Sequence, residues 1–282
     1  MESNRQPLIS VITASMNSGS TIQHCIDSVK KQSYRNIDFI IMDGASTDDT
    51  VDIIKRNEGC IAYWESREDK GIYHAWNKAL EHARGDWIIF LGTDDFLWGE
   101  DSLQELVSRL PREAGDYRVL YCRVMMVNKN GDVLQGLGEP WKRTRKRFLQ
   151  VMCIPHPAAV YHKSMFEVHG KFDESFRIAG DYEFLLRELT RGETVYLEGI
   201  TLTGMHHGGI SSNPANSVAA LREIRTAQKK HGFRSPGFLW IMAYIRVQTR
   251  LILGRLVGLR NASVVFDLGR RLVGKKPFWT RI

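Results

Sequence analysis

Cysteine is scarce in this chain. There are four, Cys25, Cys60, Cys122 and Cys153, and no two form a C-x-x-C pair. That pattern excludes a zinc ribbon and offers no disulfide framework. Glycine-rich phosphate cradles are missing as well. No G-x-G-x-x-G follows the first apolar segment and no G-x-x-x-x-G-K-[ST] occurs anywhere. A nicotinamide fingerprint and a P-loop are therefore absent, and a phosphate would be held through a metal instead. Long apolar runs are also lacking. Met1 to Pro7 is polar, and the apolar run after it is broken by Thr13 and Ser15. No signal peptide is expected. In the C-terminal segment the longest uncharged run, Ser235 to Ile245, is eleven residues, against about twenty needed to span a bilayer. Together these features point to a reducing, cytoplasmic location without a transmembrane helix. No aromatic-interleaved RNA motif or recognition-helix pattern is present, so nucleic acid is not an expected partner.

What the chain does have is an ordinary globular composition, 43% hydrophobic and 25% charged over 282 residues. That suffices for one large domain, or for a domain with an appendage. The net charge of +7 is unevenly placed. Residues 236–282 carry nine basic side chains and a single acid, Asp267, which leaves the rest of the chain near neutral. The basic character belongs to the tail and does not describe the body.

One stretch organises that body, Gly85 to Asp95. Trp87 to Leu91 is a short apolar run between Gly85 and Gly92, the pattern of a strand covered on both faces. It runs into Asp94 and Asp95. Open α/β sheets bind ligands beyond the carboxyl ends of their strands. Two carboxylates there repel unless a cation sits beside them, and a divalent metal holding a phosphate is one reason to build such a pair. A solvated turn is the simpler reading of the same two residues.

The rest of the N-terminal half favours the first reading. Leu8 to Thr13 is a strand, followed by a helix to about Lys31 that Ser18 or Ser20 can cap. Ile37 to Met42 is a second strand, ending in Asp43, with Asp48 or Asp49 set to cap the next helix. Ile61 to Trp64 is a third strand. A polar loop, Ser66 to Gly71, leads to a helix over Ile72 to Ala83. This alternation predicts an α/β fold with a mostly parallel sheet and helices on both faces. Four strands end in polar residues on one edge: Thr13 and Ser15, Asp43 and Ser46, Asp69 and Lys70, Asp94 and Asp95.

Beyond a helix at Glu100 to Leu110 the pattern changes. Arg118 to Val127 and Asp132 to Leu134 read as strands around an Asn130-Gly131 turn. Lys142 to Arg147 is a basic cluster, read as a solvated loop or as a contact for an anionic acceptor. His156 precedes a strand at Ala158 to Tyr161. Asp181 opens a helix, where a carboxylate is favoured by the dipole.

At this point the motifs resemble those of the family 2 glycosyltransferases, which have the GT-A (Rossmann-like) fold, especially the bacterial enzymes of cell-surface polysaccharide synthesis. The carrying segments are Val11 to Asn17, Asp43 to Thr50, Glu68 to Tyr73, Gly92 to Asp95, and Phe172 to Phe176 continuing through Asp181 to Arg187. The likeness runs from about Leu8 to Ser212. It implies a transferase domain over residues 1–232, with a nucleotide-binding half at about 1–110 and an acceptor half at about 111–215. Thr13, Ser15 and Asp43 would contact the base and ribose, with Asp69 and Lys70 nearby and Asp94 at the ribose. Asp95 would bind Mg²⁺ or Mn²⁺ against the diphosphate, with His207 as a further metal ligand. Asp181 would be the catalytic base, and His156 and Arg187 would lie in the acceptor region. His206 to Ser211 matches a segment that closes over the donor.

The implied reaction moves a sugar, with inversion, from a nucleotide-sugar donor, UDP-linked by family default. The acceptor would be a hydroxyl of a glycan or of a polyprenyl-diphosphate-linked oligosaccharide. Residues 233–282 read as a basic amphipathic helical tail. It would lie on an anionic membrane surface at the inner face of the cell membrane, or pack on the body or on a second subunit as a homodimer. Two other functions fit parts of the sequence: a nucleotidyltransferase, and a non-catalytic membrane- or polyanion-binding protein.

Overall fold

The computed structural model describes residues 6–208, 214–272, 274 and 276–281. Among them nine strands form one sheet. They are β1 (Ile9–Ser15), β2 (Ile37–Asp43), β3 (Tyr63–Ser66), β4 (Trp87–Phe90), β5 (Asp95–Leu97), β6 (Val119–Val127), β7 (Val133–Leu137), β8 (Ala159–His162) and β9 (Val195–His206). Their order is β3-β2-β1-β4-β8-β6-β9-β5, with β7 paired to β6.

The first four strands are mutually parallel. β4 is buried along its whole length, as its unbroken apolar sequence requires. Its neighbour β1, and β2 beyond it, alternate their side chains between two apolar clusters, one on each face of the sheet. Helices Ile72–Ala79 and Gly180–Leu189 cover one face, and Ile22–Lys30, Thr50–Arg56 and Ser102–Glu113 cover the other. The register levels the carboxyl ends: Ser15 lies opposite Asp43, and Asp43 opposite Ser66. Leu91 N donates to the Ile12 carbonyl at 2.9 Å, so β4 ends at the same edge. The four polar loops therefore converge there.

The other half is mixed. β8 runs antiparallel to β4 and β6, and β9 runs parallel to β6. β5 starts at Asp95 and turns back antiparallel along β9, with Asp95 opposite Met205. This return brings His206 and His207 to the carboxylate pair. The β6–β7 hairpin turns where expected, with Gly131 at φ 84.

Several local expectations are revised. Thr21, not Ser18 or Ser20, stands at the N-cap of the first helix, and no side chain caps it. The third strand begins at Tyr63 because a 3₁₀ turn, Glu58–Cys60, precedes it. Lys142 to Arg147 is helical rather than a loop, within Trp141–Phe148. Trp141, Thr144 and Phe148 bury at spacings of three and four, and the cations occupy the opposite face.

The tail forms two helices, Phe238–Val257 and Leu259–Leu272, separated by Gly258 at φ 80. No helix among the described residues is long and apolar enough to cross a membrane. Asp267 is buried and accepts from the backbone N–H groups of Phe278, Trp279 and Thr280. Burial opposes its charge, but these hydrogen bonds outweigh burial and hold its carboxyl at about 2. The returned end packs Phe278 on Met126 and Leu134.

Candidate active site

The carboxylate pair is built around Gly92. A Cβ there would meet Asp95 Oδ2 at 2.8 Å and Asp94 Oδ1 at 3.0 Å, so both side chains fold over a position that only glycine leaves open. Asp95 is 7% exposed. Burial and the Asp94 charge push its carboxyl well above the usual range, against a backbone hydrogen bond from Gly92. A buried carboxylate facing a second carboxylate, with one backbone donor between them, fits a hard divalent cation that would offset their repulsion. Among the described residues no three His, Cys, Asp or Glu side chains converge on a metal position. Oxygens of a bound substrate would complete such a shell, as is usual for Mg²⁺ at phosphates. Gly92→Ala is accordingly expected to weaken divalent-ion binding at least about tenfold, as displaced ligands do, while thermal unfolding stays cooperative. Calorimetric titration with Mn²⁺ checks this.

Both histidines flank the pair. The His206 ring bonds the Asp94 carbonyl through Nδ1 at 2.6 Å and packs against Phe96. The His207 ring packs edge-on against Phe278, with centroids 5.5 Å apart. Burial, and then the Arg250 charge, lower its pKa, so the ring is neutral near pH 7 and has a nitrogen lone pair for a metal. Of the segment expected to close over the donor, residues 209–211 lie outside the described residues.

Asp181 lines one cavity together with the pair. That cavity is lined by Asp94, Asp95, His156, Asp181 and His207, together with Tyr73, Trp76 and Arg177. Asp181 lies in the first turn of Gly180–Leu189. The Tyr73 hydroxyl accepts from Gly180 N at 2.8 Å and Asp181 N at 3.3 Å, and it donates towards Asp181 Oδ1 at 3.5 Å. Gly180 is needed at this point, since a Cβ would lie 2.8 Å from the Tyr73 ring. Glu223 holds the preceding loop by accepting from Ile178 N and Ala179 N, each at 2.8 Å. Burial raises the Asp181 pKa, and the His156 charge opposes that rise. Its carboxyl is thereby moved towards the range of a useful general base.

His156 lies 3.8 Å from Asp181 Oδ2 through Nδ1, and that nitrogen also meets the Tyr161 hydroxyl at 3.1 Å. Burial depresses its pKa, with Asp181 opposing. His156 Nε2 and Trp76 Nε1 are buried without a hydrogen-bond partner among the described residues. Such groups suit a polar ligand, because an unpaired buried donor is costly.

The remaining expected residues separate into two groups. Ser15 and Asp43 form a bonded cluster with Ser46 and Ser66 at the ends of β1, β2 and β3, and Asp69 lies beside it. Asp43 accepts from Ser15 Oγ at 2.9 Å, Ser46 N at 2.9 Å, Ser46 Oγ at 2.5 Å and Ser66 Oγ at 2.6 Å. A ligand that contacts Asp43 must displace one of these donors. Asp69 packs over Gly44, and Lys70 is exposed beside it. Two expectations are corrected. Thr13 is fully buried, with its hydroxyl 3.8 Å from Cys25 Sγ, so its side chain faces the helix beneath the sheet and not the crevice. Arg187 donates to the carbonyls of His169 and Lys171, each at 2.8 Å, and pairs with Glu183 at 2.5 Å. It ties a turn to its own helix and lines no part of the cavity. Tyr73, Trp76, Arg177 and Glu223 were not anticipated. Only Tyr73 had a signal, as the last residue of the Glu68 to Tyr73 motif.

The fold agrees with comparisons to known proteins. The family "Glycosyl transferase family 2" matches residues 10–170. A glycosyltransferase of Mycobacterium tuberculosis is 32% identical over 234 residues, covering 80% of this chain and 86% of that protein. A PGL/p-HBAD biosynthesis glycosyltransferase of Mycobacterium bovis is 27% identical, covering 73% of this chain and 80% of that one. Among solved structures, S. aureus TarS in complex with UDP-GlcNAc superposes with a TM-score of 0.62 at 17% identity, covering 94% of this chain and 77% of the other. The mannosyltransferase PcManGT of Pyrobaculum calidifontis, in complex with GDP-Man and Mn²⁺, also gives 0.62 at 18% identity, covering 98% and 84%. These likenesses establish the GT-A fold, and with the family match and the relatives' identity they show that the chain is a glycosyltransferase and belongs to glycosyl transferase family 2.

Proposed function

We propose that this enzyme is an inverting, metal-dependent transferase. It would take a sugar from a nucleoside-diphosphate sugar, UDP-linked in the first instance, and pass it to a hydroxyl of a glycan or lipid-linked acceptor in surface polysaccharide synthesis. One observation carries the reading. A single cavity is lined both by the carboxylate pair, Asp94 and Asp95, and by a separate carboxylate, Asp181, from the first turn of Gly180–Leu189. The two acidic groups are thus available for different tasks. A divalent ion, Mg²⁺ or Mn²⁺, held by Asp95 with Asp94 and His207 beside it, would supply positive charge to the departing diphosphate. Asp181 takes the proton of the acceptor hydroxyl as that oxygen attacks the anomeric carbon. The bond from the anomeric carbon to the diphosphate oxygen breaks on the opposite side. One displacement inverts the centre and needs no covalent enzyme intermediate. Tyr73 and His156 hold Asp181 in place, and Arg177 adds a cation at the rim. The cluster of Ser15 and Asp43, with Asp69 beside it, suits the base and ribose. TarS with UDP-GlcNAc and PcManGT with GDP-Man and Mn²⁺ support the donor class and the metal.

Product analysis tests the reading. Incubation with UDP-, GDP- and TDP-sugars and Mn²⁺ is expected to release nucleoside diphosphate from one of them. Release of pyrophosphate from a nucleoside triphosphate would instead support a nucleotidyltransferase. Unchanged function in cells of Asp95→Asn and Asp181→Asn chains would support the non-catalytic alternative.

Residues 233–282 are proposed to rest on an anionic membrane surface at the cytoplasmic face. Phe238, Leu256 and Leu272 are 70%, 75% and 89% exposed, and Arg246, Arg255, Arg260 and Arg271 are interspersed. The one acid of the tail, Asp267, is turned inward. Such a surface gains from both apolar insertion and charge attraction. Co-sedimentation with vesicles containing phosphatidylglycerol is expected to exceed that with phosphatidylcholine alone, and to fall with added salt. Replacing Arg255 and Arg260 by Ser is expected to lower it about thirtyfold, at about 1 kcal/mol per cation.

A further inference from the structure

A second cavity, of ≈ 520 Å³, adjoins the first. The two share His156, Pro157, Ile178, Asp181 and Met205, so Asp181 stands in the wall common to both. The second cavity lies away from the carboxylate pair. Its walls are largely apolar, from Leu137, Val151, Met152, Ile154, Ala220 and Ile224. Asp181, His156 and Tyr182 line the side nearest the first cavity, and Glu139 and Arg147 are the charged residues beyond them. The latter two face each other at 3.4 Å, and the Arg147 side chain also pairs with the Cys153 thiol in the same lining.

This lining bears on the class of acceptor. A sugar chain presents several hydroxyls on each ring, and a site that buries them must pair them. Away from Asp181, His156 and Tyr182, the lining offers one ion pair and the Cys153 thiol among apolar side chains, so a glycan buried there would leave most of its hydroxyls unpaired. An apolar body with few polar atoms matches that part of the lining. The direction of the cavity agrees. Val151 in its wall follows Gln150, whose side chain accepts from Leu239 N at 3.0 Å and packs on Gly237. The wall thus leads to the start of Phe238–Val257, the helix with the exposed apolar residues.

We infer that the second cavity is the acceptor subsite and that it takes an amphiphile, with the reacting hydroxyl at Asp181 and an apolar alkyl or aryl aglycone in the cavity. The inference rests on the glycosyltransferase reading and adds the class of acceptor to it. The test uses the full chain and octyl β-D-glucoside, below its micelle concentration, against methyl β-D-glucoside. Calorimetry is expected to show saturable one-to-one binding of the octyl compound, at least about tenfold tighter than the methyl compound. Ala220→Trp, which fills the cavity, and Met152→Asp, which makes its wall polar, are each expected to weaken octyl binding at least tenfold. Leu256→Ser, on the exposed tail, is expected to leave it unchanged. Equal binding of the two glucosides would overturn the inference. So would loss of octyl binding in Leu256→Ser with none in Ala220→Trp and Met152→Asp. Binding of UDP, GDP and TDP with Mn²⁺ is measured on the same samples. If a nucleotide binds and the octyl compound does not, the acceptor inference alone fails. If no nucleotide binds, the donor reading fails, and the octyl titration still reads the second cavity separately. Retained nucleotide binding in Ala220→Trp and Met152→Asp shows that the variants are folded.

Discussion

Asp95→Asn is expected to abolish metal-dependent binding of a nucleoside diphosphate and to lower kcat/KM by on the order of 10³-fold, the scale of losing several kcal/mol of charge stabilisation. Asparagine is close to isosteric, so it can still lie over Gly92 and still accept the Gly92 backbone bond. What it lacks is the negative charge that a divalent ion requires. The same substitution is expected to raise stability when no metal is present. In the folded protein, burial and the neighbouring Asp94 hold the Asp95 pKa above its unfolded value. The folded state therefore binds the proton more tightly, and stability declines as pH rises from about 4 through the folded pKa. Asparagine has no such proton to lose. Above that interval, in EDTA, the variant should melt later than the native protein. Mn²⁺ should narrow the difference by stabilising the native protein alone. Loss of binding together with gain of melting temperature distinguishes a ligand residue from a structural one. Earlier melting of the variant in EDTA would indicate that Asp95 supports the fold instead.

Asp181→Asn is expected to lower kcat by about 10²- to 10⁴-fold, the range for removal of a general base, while nucleotide binding stays unchanged. The split follows from position. Asp181 lines both cavities, whereas the carboxylate pair lines the first alone. In the native enzyme, activity should rise with pH as Asp181 loses its proton, with a midpoint above about 3.9, the value of a free aspartate. Burial is the main cause of that upward displacement. Tyr73→Phe removes the hydroxyl that donates towards Asp181, so the carboxylate loses a partner. The rising limb should move to higher pH, with the nucleotide affinity unaltered. A pH profile distinguishes this from a packing defect, which would lower activity at every pH. Equal losses of nucleotide affinity and of kcat in Asp181→Asn would place Asp181 in donor binding instead.

The parts of this site that were legible in the sequence are those written in short-range pattern. The apolar run Trp87 to Leu91 ended in two carboxylates, and β1 and β2 ended in polar residues, so the convergence at one edge could be read directly. Asn130-Gly131 marked the β6–β7 hairpin through its backbone preference. What failed was information carried by the third dimension. Thr13 and Ser15, two apart on one strand, share a face. That this face turns Thr13 onto Cys25 is settled by the helix packed beneath it, which periodicity does not reveal. The antiparallel return of β5 along β9, which delivers His206 and His207, pairs residues more than a hundred positions apart. Arg187 illustrates a different loss. Its partner Glu183 stands four residues earlier on the same helix, so the ion pair was readable, yet a motif match drew the residue to the acceptor region. The six residues Lys142 to Arg147 are dominated by charge, which concealed the helical spacing of Trp141, Thr144 and Phe148.

The most direct test of the donor site is a calorimetric titration of the purified chain with UDP, GDP and TDP, each in Mn²⁺ and in EDTA, for the native protein and Asp95→Asn. The expected result is that one diphosphate binds the native protein in Mn²⁺ alone and does not bind Asp95→Asn. Binding that is indifferent to EDTA and to Asp95→Asn, or no binding of any of the three in Mn²⁺, would contradict a metal-held diphosphate at this carboxylate pair.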